Sequence, residues 1–313
     1  MDTSLVSAII TTHNRPPRMV LRAVNSVLNQ TYPNIEIIVV DDSDSDFPQR
    51  TEVERAVRKA SDKIQYIKHE ENRGGCAARN TGLARARGYY IAFLDDDDEW
   101  FPCKIEEQIK GFINKNIALV YCTGYKIDET RWEKNIEITQ FCRGMVFNEL
   151  LRINFIGGTS NPLIKKECIE QVGGFDERME SSQDYDLWLR ISQRYPVNYI
   201  KKPLLNYYLH EGEQITTNAN KKIAGIERNN RKFSEYINRD KKAWYLHHIS
   251  IVPYYLKVYG RKKAFSQWLK CIQYQPASVV DNLKHLILII LGDEHYSAIT
   301  SRIRRITGRA GSV

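Results

Sequence analysis

Short apolar runs alternate with amphipathic stretches through the first half of the chain. The runs at 6–11 and 35–40 are rich in β-branched residues, which is typical of strands covered on both faces. Similar runs at 64–69, 90–94 and 118–122 predict three further strands. This pattern indicates an α/β fold built around a largely parallel sheet.

Residues at helical spacing fill the intervals between these strands. The predicted helices cover residues 18–29, 51–60, 76–86 and 102–114. A pair of prolines stands directly before the first of them, at a position where proline is tolerated. We expect these helices to flank the sheet.

The pattern changes in the second half. Between residues 157 and 208 the predicted elements are strands at 161–164, 197–200 and 204–209 and helices at 165–172 and 184–194. After residue 218 strand signals stop, and helical stretches run on with breaks at Gly260 and Pro276. We therefore predict an α/β domain over residues 1–218 and a helical region over residues 219–313.

Composition excludes several classes of protein. The six cysteines are far apart, with no CxxC pair and no Cys/His cluster, which disfavours a disulfide framework or a structural zinc site. The first residues lack the basic and apolar regions of a signal peptide. The most apolar run, at 286–291, is six residues long, against roughly 20 needed to cross a bilayer. These features predict a cytoplasmic protein.

Charge is divided unevenly along the chain. Residues 1–200 carry a net charge of −4, whereas residues 201–313 carry 20 Lys and Arg against 8 Asp and Glu, a net charge of +12. The basic residues alternate with aliphatic and aromatic ones at helical spacing. This favours an anionic membrane surface on the inner face, or a lipid-pyrophosphate acceptor, over nucleic acid. A solvated helical face explains the same pattern equally well.

Four consecutive carboxylates, at 95–98, follow the predicted strand at 90–94. Adjacent carboxylates repel one another, so holding them at a strand end without a cation costs free energy. Hard oxygen ligands of this kind suit Mg²⁺ or Mn²⁺ held partly by the phosphates of a substrate. Ligands of open α/β sheets also bind at strand carboxyl ends. The alternative is a solvated acidic turn.

Other polar segments also lie at element ends. Residues 41–43 follow the second strand and residues 11–15 follow the first, although such turn sequences are common. Glycines at 74 and 75 open the helix at 76–86, where backbone N–H groups can approach an anion. No GxxxxGK[ST] occurs and no GxGxxG follows the first strand, which excludes P-loop and dinucleotide-binding readings.

Together and in this order, the motifs resemble the family-2 glycosyltransferases with the GT-A fold, over residues 4–215. The matching segments are T-T-H-N-R at 11–15, V-D-D-S at 40–43, G-G-C-A-A-R-N-T-G at 74–82, F-L-D-D-D-D at 93–98, G-G-F-D-E at 173–177 and Q-D-Y-D-L-W-L-R at 183–190. Each motif alone is modest evidence, whereas six in family order and spacing are strong evidence.

The resemblance implies a nucleotide-sugar-binding mixed sheet with flanking helices, followed here by a helical C-terminal region. It implies that the nucleotide-sugar pocket is lined by Thr11, His13, Arg15, Asp42, Arg73, Gly74, Arg79, Asn80, Asp95 and Asp96. It implies an Mn²⁺ or Mg²⁺ ion held by Asp97, with Asp95 and His210 as further ligands. A lone histidine such as His210 is as often structural.

Asp184 matches the general base of the family, which implies transfer with inversion to an acceptor hydroxyl. A helix N-cap is the alternative role for this residue. The favoured donor is a uridine diphosphate sugar, and the expected acceptor is a glycan or a lipid-linked saccharide. The Q-x-x-R-W motif of processive synthases is missing, so we expect the transfer of a single sugar.

Two other classes of protein remain as alternatives. A nucleotidyltransferase that makes a nucleotide sugar is expected to have a glycine-rich loop after its first strand, but residues 11–15 contain no glycine. A non-catalytic sugar-nucleotide-binding module needs no general base, so the presence of Asp184 disfavours it.

Overall fold

The apolar runs of the sequence form the strands of one mixed sheet. The computed structural model describes residues 3–128, 133–136, 140–209, 218–274 and 279–292, and within these ranges nine strands pair in a single sheet. They are β1 (Val6–Thr12), β2 (Ile35–Asp41), β3 (Ile64–Lys68), β4 (Tyr90–Asp95), β5 (Glu99–Trp100), β6 (Leu119–Asp128), β7 (Glu133–Ile136), β8 (Leu163–Lys165) and β9 (Val197–Leu209).

The strand order is β3-β2-β1-β4-β8-β6-β9-β5, with β7 paired to β6. The first four strands are parallel, whereas β8 runs antiparallel to β4. The chain passes from β1 outward to β3 and then returns to β4 on the other side of β1. The polar segments that follow β1, β2 and β4 therefore meet at one edge of the sheet, where open α/β sheets bind ligands.

Helices cover this sheet. They are α1 (Pro17–Leu28), α2 (Arg50–Ala60), α3 (Gly75–Arg85), α4 (Lys104–Ile109), α5 (Phe147–Arg152), α6 (Lys166–Gln171) and α7 (Gln183–Ser192). Strand residues Ala8 and Ile10 are fully buried, and they belong to the same core cluster as Val20 and Val24 of α1. Burial on both faces explains why β1 and β2 lack the polar alternation of a half-exposed strand.

Close packing of α3 on β1 depends on Gly82. A Cβ atom at this position would lie 2.4 Å from Cγ2 of Ile9, a distance at which something must shift. The glycine lets the helix lie near the sheet, and the same helix carries Arg79. We infer that Gly82 sets the position of that arginine.

The structure differs from the predicted elements in three places. The two strands expected at 197–200 and 204–209 are one strand, β9, in which Pro203 lies at a register irregularity against β6. Proline is tolerated there because the regular ladder is already interrupted. The helix expected at 102–114 is only α4, since the chain turns at Gly111. The short elements β5, β7 and α5 were not predicted.

Contacts divide the chain into two compact units, Met1–Arg178 with Gln183–Gly212, and Met179–Ser182 with Glu213–Val313. The helices of the second unit are α8 (Ala219–Lys232), α9 (Ser234–Arg239), α10 (Lys241–Ile249), α11 (Val252–Tyr274) and α12 (Val279–Leu291). The predicted break at Gly260 is confirmed, because this residue has a φ of 78° inside α11. Pro276 lies outside the described residues.

A small core holds α10, α11 and α12 together, with Tyr245, Val252, Trp268 and Ile289 among its buried residues. The prediction of a mixed α/β sheet followed by a helical region is confirmed. In the part of the chain that the structure describes, no helix is long and apolar enough to cross a membrane.

Lys104, the first residue of α4, has a fully buried side chain. Its Nζ donates a hydrogen bond to Oε1 of Gln108 at 2.7 Å and lies 4.3 Å from the centroid of the Trp100 ring. Burial lowers the pKa of Lys104 from 10.5 to about 8. The folded state therefore releases this proton at a lower pH than the unfolded state does.

This difference predicts a pH-dependent stability term. Above about pH 8 the folded protein loses the Lys104 proton while the unfolded chain keeps it, so this residue makes the protein more stable as pH rises. We expect the stability of the wild type relative to Lys104→Met to rise by about 2 kcal/mol between about pH 7.5 and about pH 10. Urea unfolding of both proteins measures the difference. Lys59 is exposed, so the stability difference between the wild type and the control variant Lys59→Met is expected to stay constant over the same pH range.

Candidate active site

The parallel register brings three polar segments together. Thr11 is paired with Val40 on one side and with Asp95 on the other. Asp42 follows β2 directly, and its backbone N–H donates to the carbonyl oxygen of Thr12 at 2.9 Å. The carboxyl ends of β2, β1 and β4 therefore form a continuous polar edge.

Asp41 and Asp42 have different roles although they are adjacent. Asp41 is fully buried, and it accepts hydrogen bonds from Nε of Arg50 at 3.0 Å and the Tyr66 hydroxyl at 2.9 Å. Burial opposes ionisation of Asp41, but hydrogen bonds from Ser43, Arg50 and Tyr66 outweigh burial and lower its pKa. Asp41 is therefore a structural anchor at the end of β2.

Asp42 is also buried, and its contacts are with the loop before α3 and with two histidines. Its Oδ1 accepts a hydrogen bond from the backbone N–H of Arg73 at 2.8 Å and lies 2.7 Å from Nδ1 of His69. The other ring nitrogen of His69 lies 2.9 Å from Oγ1 of Thr81. The buried imidazole thus fixes the Asp42 carboxylate against the loop that precedes α3. His13 also reaches this residue, since its Nδ1 lies 2.9 Å from the Asp42 carbonyl oxygen.

The four consecutive carboxylates that begin at the last residue of β4 divide into two pairs. Asp96 and Asp98 are buried, whereas the side chains of Asp95 and Asp97 are 32% and 17% exposed. The Ser160 hydroxyl donates to Oδ2 of Asp98, which holds that residue inside the protein. Burial, followed by the charge of Asp97, raises the pKa of Asp96 to about 7. Only the first and third carboxylates of the run face the open side.

Two arginines partly neutralise this cluster. Arg15 donates through Nε to Asp96 at 3.2 Å and through Nη2 to Asp97 at 3.5 Å. Arg22 donates to the backbone carbonyl of Asp97 at 2.8 Å, and its guanidinium lies 3.6 Å from the centroid of the Tyr208 ring. Arg15 was predicted to line the nucleotide-sugar pocket, and the structure places its guanidinium on Asp96 and Asp97. These contacts hold the turn that carries Asp97.

Arg79 connects the acidic cluster to α7. Its Nη2 donates to Oδ1 of Asp95 at 2.7 Å, and its Nη1 donates to Oε1 of Gln183 at 2.8 Å. Burial disfavours the charge of Arg79, but the carboxylates of Asp95 and Asp184 outweigh burial and raise its pKa. Thr159 supports the same group, because its hydroxyl donates to Oδ2 of Asp95 at 2.8 Å.

Asp184 lies in the first turn of α7, which begins at Gln183. The N-cap role considered from the sequence is therefore wrong by position. Its Oδ1 accepts a hydrogen bond from the backbone N–H of Tyr185 at 2.8 Å, and its side chain is half-buried. Asp184 directly follows Gln183, which accepts a hydrogen bond from Arg79. The same guanidinium binds Asp95, so one arginine links the acidic cluster to the start of α7.

The carboxylates of this site could coordinate a divalent cation if a bound ligand filled its remaining coordination positions. Two partly exposed carboxylates two residues apart, Asp95 and Asp97, supply hard oxygen atoms. In the described ranges of the chain, no group of three or more His, Cys, Asp and Glu side chains is arranged to hold a metal ion by itself. Mg²⁺ and similar ions are commonly held by one or two carboxylates together with substrate phosphates. The residues present suit that arrangement.

Four predicted residues remain, and their placements differ. Asn80 is bonded to the 173–177 turn, because its amide donates to the carbonyl of Phe175 at 2.9 Å and accepts from the Phe175 N–H at 2.9 Å. That role was not predicted. The Arg73 side chain is exposed, and Gly74 adopts a φ of 86° before α3. His210 lies outside the described residues.

Several residues of the site were not predicted from the sequence. His69, Thr159, Ser160 and Arg22 all bind the carboxylates or their backbone, but none belongs to a recognisable motif. The loop with Thr159 and Ser160 reaches the site because β8, which follows it, pairs with β4. Such a contact depends on strand order, which local sequence does not reveal.

The family model described as Glycosyl transferase family 2 matches residues 7–173, which is more than half of the chain. The chain belongs to this family. The matched region contains all of the strand-end segments, whereas α7 follows it in the chain. A relative in Escherichia coli, the putative colanic acid biosynthesis glycosyl transferase WcaA, is 29% identical over 257 residues, covering 78% of this chain and 87% of the relative.

Two solved structures resemble this glycosyltransferase. One is S. aureus TarS 1–349 in complex with UDP-GlcNAc, with a TM-score of 0.58 and 15% identity, covering 86% of this chain and 90% of that one. The other is the mannosyltransferase PcManGT from Pyrobaculum calidifontis in complex with GDP-Man and Mn²⁺, with a TM-score of 0.56 and 17% identity, covering 98% and 88%. The predicted GT-A fold and the enzyme class are confirmed.

Proposed function

We propose that this glycosyltransferase transfers a single sugar from a nucleoside diphosphate sugar to a hydroxyl group of a glycan or lipid-linked acceptor, with inversion at the anomeric carbon. Uridine diphosphate is the favoured carrier. The observation that carries the proposal is the Arg79 guanidinium, which binds both Asp95 of the acidic cluster and Gln183, the residue before Asp184. A candidate donor site and a candidate base are thereby joined in one network.

The nucleoside is proposed to bind where β1 and β2 end. Thr11, His13 and Asp42 line that edge, and the Asp42 carboxylate is fixed by His69. A carboxylate held in this way accepts a hydrogen bond from the imide N–H of a uracil base. TarS and PcManGT were each solved with a nucleoside diphosphate sugar, which supports a donor of this class.

Asp97 and Asp95 are proposed to hold Mn²⁺ or Mg²⁺ against the donor diphosphate, and PcManGT was solved with Mn²⁺. Such an ion neutralises charge that develops on a departing diphosphate. Arg15 already pairs with Asp97, so the protein balances part of the negative charge of the cluster by itself.

Asp184 is proposed to act as the general base. The acceptor oxygen attacks the anomeric carbon from the side opposite the diphosphate, and the bond from that carbon to the diphosphate oxygen breaks. The proton of the acceptor hydroxyl passes to the Asp184 carboxylate. One displacement inverts the configuration, so an α-linked donor gives a β-linked product.

A role in surface polysaccharide assembly at the cytoplasmic face of the membrane follows as part of the proposal. The relative WcaA is named as a putative colanic acid biosynthesis glycosyl transferase, which supports this class of process.

Isothermal titration with UDP, GDP and dTDP, each with and without Mn²⁺, tests the donor site. We expect one nucleoside diphosphate to bind, and only with the metal, because a polar edge with two partly exposed carboxylates repels a free diphosphate. Binding that is equal with and without Mn²⁺ would show that the acidic cluster is a structural turn.

A further inference from the structure

Five large apolar side chains are exposed on the last two described helices. They are Phe265 and Leu269 of α11 and Leu283, Ile287 and Ile290 of α12, with exposed fractions between 37% and 59%. We name these five residues the apolar stripe. Their spacing follows the helical repeat, since residues three or four positions apart lie on one face.

The two helices that carry the stripe pack in an antiparallel way. Nη2 of Arg261 lies 4.0 Å from the place that a Cβ atom would take on Gly292, just beyond the end of α12. Nε1 of Trp268 donates to the carbonyl oxygen of Asn282, near the start of α12, at 3.2 Å. The α11 segment after the Gly260 break therefore runs alongside α12 in the opposite direction.

Both halves of the stripe lie on the same side of this helix pair. Ala264 and Trp268 of α11 and Ile289 of α12 are buried in the core of the unit, with Leu286 packed against it. Four of the stripe residues follow these positions by one, a rotation of about 100° around each helix. The fifth, Leu283, follows Asn282 by one, and the carbonyl oxygen of Asn282 accepts the hydrogen bond from Trp268. In antiparallel neighbours, equal rotations from the shared core turn toward the same side. The stripe is therefore one continuous surface.

Cationic residues border this surface. Residues 252–292 contain six Lys and Arg against one Asp, so the whole helix pair is strongly basic. Lys262 and Lys284 are exposed, and the helical repeat places each of them beside the stripe, on the side away from the core. Long lysine side chains can lie along an apolar surface while their ammonium groups reach an anionic layer.

A lipid surface fits this arrangement better than a second copy of the chain, because two copies would bring like charges together. The described part of α12 is 13 residues long, too short to cross a bilayer. A basic helix with an exposed apolar row is suited to lie in the plane of an anionic membrane.

We propose that the apolar stripe and the lysines beside it dock the protein on an anionic lipid surface, parallel to the plane of the membrane. The docking itself is independent of the transfer reaction. Its purpose, bringing the enzyme to a lipid-linked acceptor, rests on the proposed function. The proposal assigns the basic second unit a role in binding an anionic membrane.

Co-sedimentation of the full-length protein with vesicles tests the proposal. We expect binding to phosphatidylcholine vesicles that contain phosphatidylglycerol, little binding to phosphatidylcholine alone, and weaker binding at high salt. The double variant Leu283→Ser/Ile287→Ser is expected to lower the partition coefficient at least about tenfold. Lys262→Gln/Lys284→Gln is expected to lower it roughly fivefold for each charge removed.

Matched controls separate this surface from general stickiness and from the active site. Ile113→Ser/Ile153→Ser removes two apolar side chains that are 69% and 50% exposed elsewhere, and it is expected to leave vesicle binding unchanged. The Asp97→Asn variant is also expected to bind vesicles like the wild type. The Leu283→Ser/Ile287→Ser variant is expected to keep its nucleotide binding. Vesicle binding would therefore be expected even if the proposed sugar transfer proved wrong.

Three outcomes would overturn the docking proposal. One is the absence of binding to anionic vesicles. Another is binding of the Leu283→Ser/Ile287→Ser and Lys262→Gln/Lys284→Gln variants that equals that of the wild type. The third is a dimer in light scattering that the Leu283→Ser/Ile287→Ser variant abolishes, since a second copy would then cover the stripe.

Discussion

Replacing Asp184 by asparagine is expected to slow release of the nucleoside diphosphate by about 10²–10⁴-fold, the range typical for loss of a general base. Asparagine can still accept the hydrogen bond from the Tyr185 N–H, so the start of α7 is expected to keep its geometry. The assay measures hydrolysis of the sugar donor, in which water takes the place of the acceptor hydroxyl. It can therefore be run before the acceptor is identified. Donor affinity, measured by titration, is expected to stay unchanged.

Glu180→Gln is the matched control, because it neutralises an exposed carboxylate four residues earlier. It is expected to turn over at the wild-type rate. Full activity of Asp184→Asn would remove this residue from the chemistry. An equal fall in donor affinity and turnover would mean that Asp184 supports the donor site and is not the base.

Asp97→Asn is expected to weaken Mn²⁺-dependent nucleoside diphosphate binding by on the order of 100-fold or more. Loss of a residue that only supports a metal ligand typically costs 10–100-fold, and Asp97 is proposed to be a direct ligand. The substitution also removes the ion pair with Arg15, which alone has a modest effect because the two atoms are 3.5 Å apart and Arg15 keeps its shorter contact with Asp96. Titration of the variant with and without Mn²⁺ measures the change.

The control for this variant is Asp46→Asn, an exposed carboxylate in the loop after β2. It is expected to bind the nucleotide and the metal like the wild type. If Asp97→Asn kept its metal dependence, the ion would have to be held by other residues, and the assignment of the acidic cluster would be wrong.

Much of the site could be predicted because it lies at strand ends. The strands β1, β2 and β4 are short, mostly buried and mostly apolar, so their positions are clear from the sequence. In a parallel sheet their carboxyl ends meet at one edge, and the polar residues that follow them are therefore neighbours. This explains why Thr11, Asp42 and the acidic cluster converge in the structure.

The supporting residues could not be predicted, because they reach the site through long-range contacts. Ser160 is 62 residues from Asp98, and Gln183 is 104 residues from Arg79. These pairs depend on the position of β8 beside β4 and on where α7 begins, which no local pattern specifies. His69 is a similar case, since its role follows from its distance to Asp42.

Sequence motifs also do not separate binding from structural roles. Asn80 lies inside the motif at 74–82, yet its amide holds the turn at Phe175. Within the acidic cluster, Asp96 and Asp98 are buried and bonded, and only the accessibility of each side chain distinguishes them from Asp95 and Asp97. A run of identical residues gives no such information.

The anomeric configuration of the released sugar tests the central claim most directly. The protein is incubated with a panel of α-linked UDP, GDP and dTDP sugars and Mn²⁺, and proton NMR follows the first sugar released to water. Inverting displacement with Asp184 as base predicts that the β-anomer appears first, before mutarotation. Release of the α-anomer first would contradict the account, because it requires retention and a second displacement.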